Sequence, residues 1–138
     1  NYAIKNREYC QYFETLSDDV KSKIISLSKI DNKELVLLLR GASLSVYPSF
    51  AEGFGIPPLE ALAANISSIC SNTTGMSDFN FMGSRRFQPN SLIQIKNCID
   101  VNLNLIPDPT VVKQLKKTYS WKDSYLKLKE AIDFTHKL

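Results

Sequence analysis

A chain of 138 residues with 43% hydrophobic and 22% charged side chains is long and apolar enough to bury a core, which excludes a disordered or low-complexity protein. Its net charge of +3 and pI near 8.7 fall short of the basic stripe of a nucleic-acid-binding module, and no apolar run nears the roughly 18 residues of a membrane span. Cys10, Cys70 and Cys98 are odd in number and widely spaced without a C-x-x-C pair, so neither a disulfide framework nor a zinc site is expected, and reduced thiols without a signal peptide fit the cytosol.

Residues 6–16 place Tyr9, Tyr12, Phe13 and Leu16 at helical spacing, and Ser17-Asp18-Asp19 breaks that helix. The β-branched run at residues 23–28 reads as a strand. Asp31-Asn-Lys-Glu34 has the form of a capping box, and the helix it opens stops at Gly41. Residues 43–47 read as a second strand. The loop at 48–56 leads into a helix over residues 58–64, since proline is accepted in a first helical turn. Residues 66–70 read as a third strand in which Cys70 is a small buried hydrophobe, and residues 71–75 as a polar turn. Residues 76–90 show no clear period beyond a short strand at Arg86-Phe87. Residues 91–100 have a helical pattern, and Asp108-Pro109 has N-cap and N1 chemistry for a helix through Thr118. Ser120-Trp-Lys-Asp123 opens a last helix with the stripe Tyr125, Leu128, Ala131 and Ile132. Strands alternating with helices predict an α/β fold, a parallel sheet flanked by helices with right-handed crossovers. Residues 1–138 read as a single, incomplete domain with C-terminal helices over 108–138, because Asn1 is not a start residue and the strands are few for a doubly wound sheet.

The chemistry concentrates in residues 47–61, Y-P-S-F-A-E-G-F-G-I-P-P-L-E-A. They run from a strand's carboxyl end to the next helix, where ligands bind in open parallel sheets. Gly53 and Gly55 let the backbone approach a ligand closely. The helix opening at Pro57 offers free N–H groups and the positive end of its dipole to a phosphate or sugar hydroxyl. Glu52 on the loop and Glu60 in the expected first helical turn bracket the segment, so both can face one pocket. An ionised carboxylate accepts from paired hydroxyls such as those of a ribose or hexose. Near an anomeric carbon it stabilises oxocarbenium-like charge. Taken singly these features are commonly structural; their convergence after one strand points to a site.

That segment resembles the retaining glycosyltransferases of GT-B fold, the group 1 family that includes sucrose synthases, bacterial glycogen synthases and mannosyltransferases of lipid and capsule assembly. The family's E-x7-E signature corresponds to Glu52-Gly-Phe-Gly-Ile-Pro-Pro-Leu-Glu60. Residues 40–49 are similar to its entering strand, and Tyr119-Ser-Trp121 to the opening of its final helix. The resemblance implies part of the C-terminal, Rossmann-like half of such an enzyme, binding a nucleotide-diphosphate sugar as donor without metal or cofactor. It implies that Glu60 holds the ribose hydroxyls and that Glu52 is the catalytic residue at the donor sugar. The backbone of Gly53, Phe54 and Gly55 would meet sugar hydroxyls and phosphates, and residues 28–30 would lie near the base. The family's pyrophosphate clamp precedes this stretch, and its acceptor, a glycan or lipid-linked sugar, belongs to an N-terminal domain. The implied activity is therefore that of a longer protein, with this chain alone inactive. Where relatives carry Pro-Glu after the third strand, this sequence has Ser77 and Asp78. A non-catalytic nucleotide- or partner-binding module, or a sugar-nucleotide epimerase of the same fold, stands as the alternative.

Seven lysines between residues 113 and 138 suit a phosphate-bearing substrate or peripheral contact with the inner face of a cell membrane, and equally a solvated helix face. Arg85 and Arg86 are expected to be solvated. Trp121 is expected as a packing anchor rather than a stacking platform, and His136 has no assigned role.

Overall fold

Helices alternate with short parallel strands in the structure, a computed structural model that describes residues 7–135; His136 lies outside them. By its internal contacts the chain divides into two units, Asn1–Leu37 and Leu38–Leu138, where the sequence reads as one domain.

In the first unit, helix α1 (Arg7–Glu14) stacks Tyr9 on Phe13, with ring centroids 6.0 Å apart. Ser17-Asp18-Asp19 ends one helix and opens another, the short α2 (Asp18–Lys21). Lys21 ties the two together, donating from Nζ to the Glu14 carbonyl at 3.1 Å and lying 5.8 Å from the Phe13 ring centroid. The strand expected over residues 23–28 does not form, and Ile25 is 83% exposed. Strand propensity is realised only where a neighbouring strand takes up the backbone N–H and C=O groups, and these residues have no ladder partner among the described residues. The capping box does form. Asp31 Oδ1 accepts from the N–H groups of Lys33 and Glu34 at 2.8 Å each, and Glu34 Oε2 accepts from the Asp31 N–H at 2.8 Å. It opens α3 (Asn32–Gly41), the helix in which the boundary between the units falls.

The second unit holds the sheet. Strands β1 (Ser45–Tyr47), β2 (Ser68–Ser71) and β3 (Arg86–Phe87) pair in that order, all parallel, with Val46 beside Ile69 and Cys70 beside Arg86. Helix α4 (Ile56–Ala63) connects β1 to β2. Two 3-10 helices, Thr74–Asp78 and Asn80–Arg85, connect β2 to β3, the second broken at Gly83 with φ 55°. Such short, interrupted turns carry no 3.6-residue period, which is why residues 76–90 are illegible as sequence. Helices α5 (Leu92–Asn102), α6 (Pro109–Thr118) and α7 (Trp121–Thr135) follow. Their starts carry side-chain caps: Ser91 Oγ accepts from the Gln94 N–H at 3.3 Å, Asp108 Oδ1 from Thr110 at 2.8 Å and Ser120 Oγ from Asp123 at 3.3 Å. Strand β2 starts two residues later than its apolar run, because α4 ends in a Schellman motif. The Ile66 N–H donates to the Ala61 carbonyl at 2.9 Å and that of Asn65 to Leu62 at 3.0 Å. Asn65 takes the left-handed position at φ 64° that glycine commonly fills.

Strand β2 is buried along its whole length, and successive side chains point to opposite faces. Cys70 packs with Leu59 and Leu62 of α4 and Val111 and Leu115 of α6. Ile69 packs with Phe87 and with Cys98 of α5. Helices therefore cover both faces, as a parallel sheet requires, and the expected α/β, Rossmann-like arrangement is what the chain adopts. Among the described residues no helix is long and apolar enough to cross a membrane.

Two side-chain expectations are corrected. Trp121 is 94% exposed and is not packed into a core by the described residues; it opens α7, every described residue of which is exposed. Arg85 and Arg86 are half-buried rather than solvated. Arg86 donates from Nη1 to the Ser77 carbonyl at 2.8 Å and from Nη2 to Asn80 Oδ1 at 3.3 Å, tying β3 to the 3-10 segment before it.

Candidate functional site

Because β1 and β2 are parallel neighbours, the loop leaving Tyr47 and the turn leaving Ser71 emerge at one edge of the sheet. The two are clamped together. The Glu52 N–H donates to Thr74 Oγ1 at 2.8 Å. The Gly75 N–H donates to the Glu52 carbonyl at 3.2 Å, and Thr73 Oγ1 donates to the Ser49 carbonyl at 3.3 Å. The approach leaves room only for glycine at position 75, where a Cβ would lie 2.8 Å from the Gly53 carbonyl carbon and 2.9 Å from Phe54 Cα. Thr74 is held at φ 47°, a left-handed conformation costing a β-branched residue on the order of 1–3 kcal/mol. Its hydroxyl is the group that receives the Glu52 N–H.

The Glu52 carboxylate is gripped on one side. Oε1 accepts from the Tyr47 hydroxyl at 2.7 Å and lies 3.1 Å from Ser49 Oγ, while Oε2 has no partner among the described residues. The hydrogen bond to Glu52, with burial and the carboxylate's charge adding to it, pushes the Tyr47 phenol up to about 12. Tyr47 thus remains a donor throughout the neutral range. A carboxylate whose rotamer is locked through one oxygen presents the other to a ligand in a fixed direction. Glu60 is exposed and has no side-chain partner among the described residues. It is the fifth residue of α4, which begins at Ile56, and so lies past the first turn in which the sequence placed it.

The glycines divide in their roles. Gly55 caps α4 at φ 90°, and a Cβ there would run into the Met76 side chain and stand 3.4 Å from Phe79 Cε2. Glycine at 55 is therefore demanded by the backbone and the core beneath it, not by a ligand. Gly53 is exposed with nothing within 4 Å of its Cβ position among the described residues, so of the two glycines in this loop it is the one with open space before it. The helix N-terminus is narrower than expected, because Pro57 and Pro58 occupy N2 and N3 and have no N–H. Of the four groups that a helix start leaves free, Gly55 and Ile56 keep theirs. Phe54 is 43% exposed and meets Phe79 and Tyr119 edge-on, with centroids 5.7 and 5.1 Å away.

Tyr47, Ser49, Thr74 and Gly75 were legible in the sequence only as a strand end and a polar turn. Two hydroxyls five and three residues before a glutamate were the available signal for Tyr47 and Ser49. Thr74 reaches Glu52 across 22 residues of chain, which no local pattern reports. Ser77 Oγ donates to the Thr74 carbonyl at 2.6 Å within its own turn, and Asp78 is exposed. Residues 28–30 belong to the first unit and carry no helix or strand. Among the described residues no group of three or more His, Cys, Asp or Glu side chains is placed to hold a metal ion.

The family described as glycosyl transferases group 1 matches residues 5–100. An O-antigen chain mannosyltransferase, RfbU of Salmonella typhimurium, is 33% identical over 90 residues, which cover 65% of this chain and 25% of that protein. The O-antigen chain mannosyltransferase B of Escherichia coli is 40% identical over 52 residues, covering 38% of this chain and 14% of its own length. The serotype-specific mannosyltransferase WbdA of Escherichia coli is 28% identical over 96 residues, covering 70% and 11% respectively. This chain thus spans a quarter or less of the length of these curated relatives. No solved structure matches it. A match over most of the chain, on a parallel sheet that carries Glu52 and Glu60 at its carboxyl edge and on the helix beyond, makes the conclusion plain: the chain belongs to the group 1 glycosyl transferases.

Proposed function

We propose that this chain is the donor-binding part of a longer enzyme that moves a sugar from a nucleotide-diphosphate sugar to a glycan or lipid-linked acceptor with retained configuration. The observation that carries the reading is the Glu52 carboxylate, fixed through Oε1 by Tyr47 and Ser49 and without a partner at Oε2 among the described residues. In this reading Oε2 meets the donor sugar, where a preorganised negative charge stabilises positive charge developing at the anomeric carbon. Glu60, exposed and without a side-chain partner among the described residues, takes the ribose hydroxyls. The Gly53–Gly55 backbone and the Ile56 N–H face the sugar and diphosphate, with the α4 dipole favouring the leaving anion. The reaction needs no resident metal, the charge being met by these groups and by cationic side chains elsewhere in the longer protein. The relatives named as O-antigen mannosyltransferases support a mannose donor and an O-antigen-type acceptor. In this reading the enzyme works in the cytoplasm at the inner face of the cell membrane, and Lys113, Lys116 and Lys117 of α6 suit such a phosphate-bearing surface.

The test is an NMR titration of this chain with uridine, guanosine and adenosine diphosphates, repeated on Glu60→Ala. Shifts confined to residues 52–60 for one nucleotide, and lost in the variant, are expected. Shifts elsewhere, or shifts that persist in Glu60→Ala, would remove Glu60 from the nucleotide site.

A further inference from the structure

Beside the signature loop lies a cavity of about 450 Å³ lined by Phe54, Ile56, Tyr119, Ser120, Trp121 and Ser124. Phe54 stands on the loop that carries Glu52, and Ile56 opens α4, the helix that carries Glu60, whereas Trp121 and Ser124 stand on the first turn of α7. The lining is aromatic and hydroxylic, with one aliphatic side chain in Ile56, and holds no charged side chain. Trp121 is 94% exposed, so its indole faces are open, and Phe54 contributes a half-exposed ring held edge-on against Tyr119.

These groups have a defined ligand chemistry. The negative face of an aromatic ring attracts the polarised C–H bonds on one face of a pyranose. Serine hydroxyls both donate to and accept from sugar hydroxyls. With no ammonium or guanidinium in the lining, the cavity has no cationic side chain to pair with a diphosphate. We propose that it is a subsite for a neutral pyranose ring of the acceptor glycan, stacked on Trp121 and hydrogen-bonded by Ser120 and Ser124. The proposal rests on the transferase reading above and adds an acceptor contact on the donor-binding part of the enzyme.

Trp121 is the single tryptophan of the chain, so its fluorescence reports on this site directly. Titration with a manno-oligosaccharide is expected to give a saturable blue shift with a Kd on the order of millimolar. Ser124→Leu narrows the cavity at an exposed helical position and keeps the reporter; with its circular dichroism unchanged, it should abolish the shift. An emission unmoved by saccharide, or moved equally in Ser124→Leu, overturns the subsite. A shift produced by a nucleoside diphosphate and not by saccharide overturns it too, and assigns the platform to the base. Nucleotide-induced NMR shifts at residues 52–60 without a saccharide response would sink this inference alone. A saccharide response without nucleotide binding would leave the subsite standing and sink the donor reading.

Discussion

Alanine at Gly55, Gly75 and Gly53 in turn would separate the glycines that build the loop from the one that faces outward. At Gly55 a side chain must adopt φ 90°, which costs an L-residue roughly 1–2 kcal/mol. Its Cβ would also enter the space of the Met76 side chain, which is fully buried and has nowhere to swing. Overpacking of that kind costs roughly 1–3 kcal/mol, giving a total of about 2–5 kcal/mol. At Gly75 the Cβ would meet backbone of Gly53 and Phe54, which no rotamer change relieves. The two loops must then part, at roughly 1–3 kcal/mol or more. At Gly53 nothing lies within 4 Å and φ is ordinary, so the change stays within roughly 0.5 kcal/mol. For a unit of this size each kcal/mol moves Tm by roughly 4–8 °C. Gly55→Ala is therefore expected to melt at least about 8 °C below the parent, and Gly53→Ala within about 4 °C of it. Urea denaturation followed by circular dichroism, with thermal melts alongside, measures both. Gly55→Ala as stable as the parent, or Gly53→Ala the worse of the two, would refute the assignment of the glycines.

Three further outcomes are expected. Tyr47→Phe removes the 2.7 Å donor to Glu52 and should cost about 0.5–1.5 kcal/mol in urea unfolding; in the intact enzyme it should lower kcat more than it raises KM, and a pure KM effect would argue against a positioning role for Tyr47. Asp31→Ala deletes the capping box and should cost roughly 0.5–2 kcal/mol locally. It would appear as faster amide exchange in the first turn of α3 with β2 amides unchanged; uniform acceleration across β2 would contradict this. Alkaline pH should weaken the fold. Burial pushes the Cys70 thiol from its ordinary 9.0 up to about 12, and the bond to Glu52 pushes Tyr47 from 10.0 to about 12. Below pH 9 both are protonated in folded and unfolded chains, so this stability is fully present. Between 9 and 12 the unfolded chain loses protons that the folded chain keeps, and stability falls as pH rises. Cys98, also raised by burial, adds to the same limb, so Cys70→Ala should make the decline shallower rather than abolish it. Urea midpoints measured up to about pH 11 would show this, and an unchanged slope in Cys70→Ala would count against it.

Much of this protein was written locally. The capping box at Asp31, the N-caps at Ser91, Asp108 and Ser120, and the prolines opening α4 and α6 depend on residues within one turn of each other, so the sequence alone determines them. The spacing of Glu52 and Glu60 around two glycines is equally local, and it was enough to indicate the family. What tertiary structure decided is non-local. Residues 23–28 have the composition of a strand but form none, because a strand is defined by its ladder partner. Trp121 looks like an anchor, yet whether an indole is covered depends on what packs over it, and nothing among the described residues does. Gly55 and Gly75 both read as ligand-approach or turn glycines until the fold brought Met76 beneath one and the Gly53 backbone against the other. The grip on Glu52 required β1 and β2 to lie side by side, so that Thr74, 22 residues downstream, could take its N–H. Pairing of that kind is set by the packing of helices on both faces of the sheet, an energy summed over the whole core and visible in no single stretch of it.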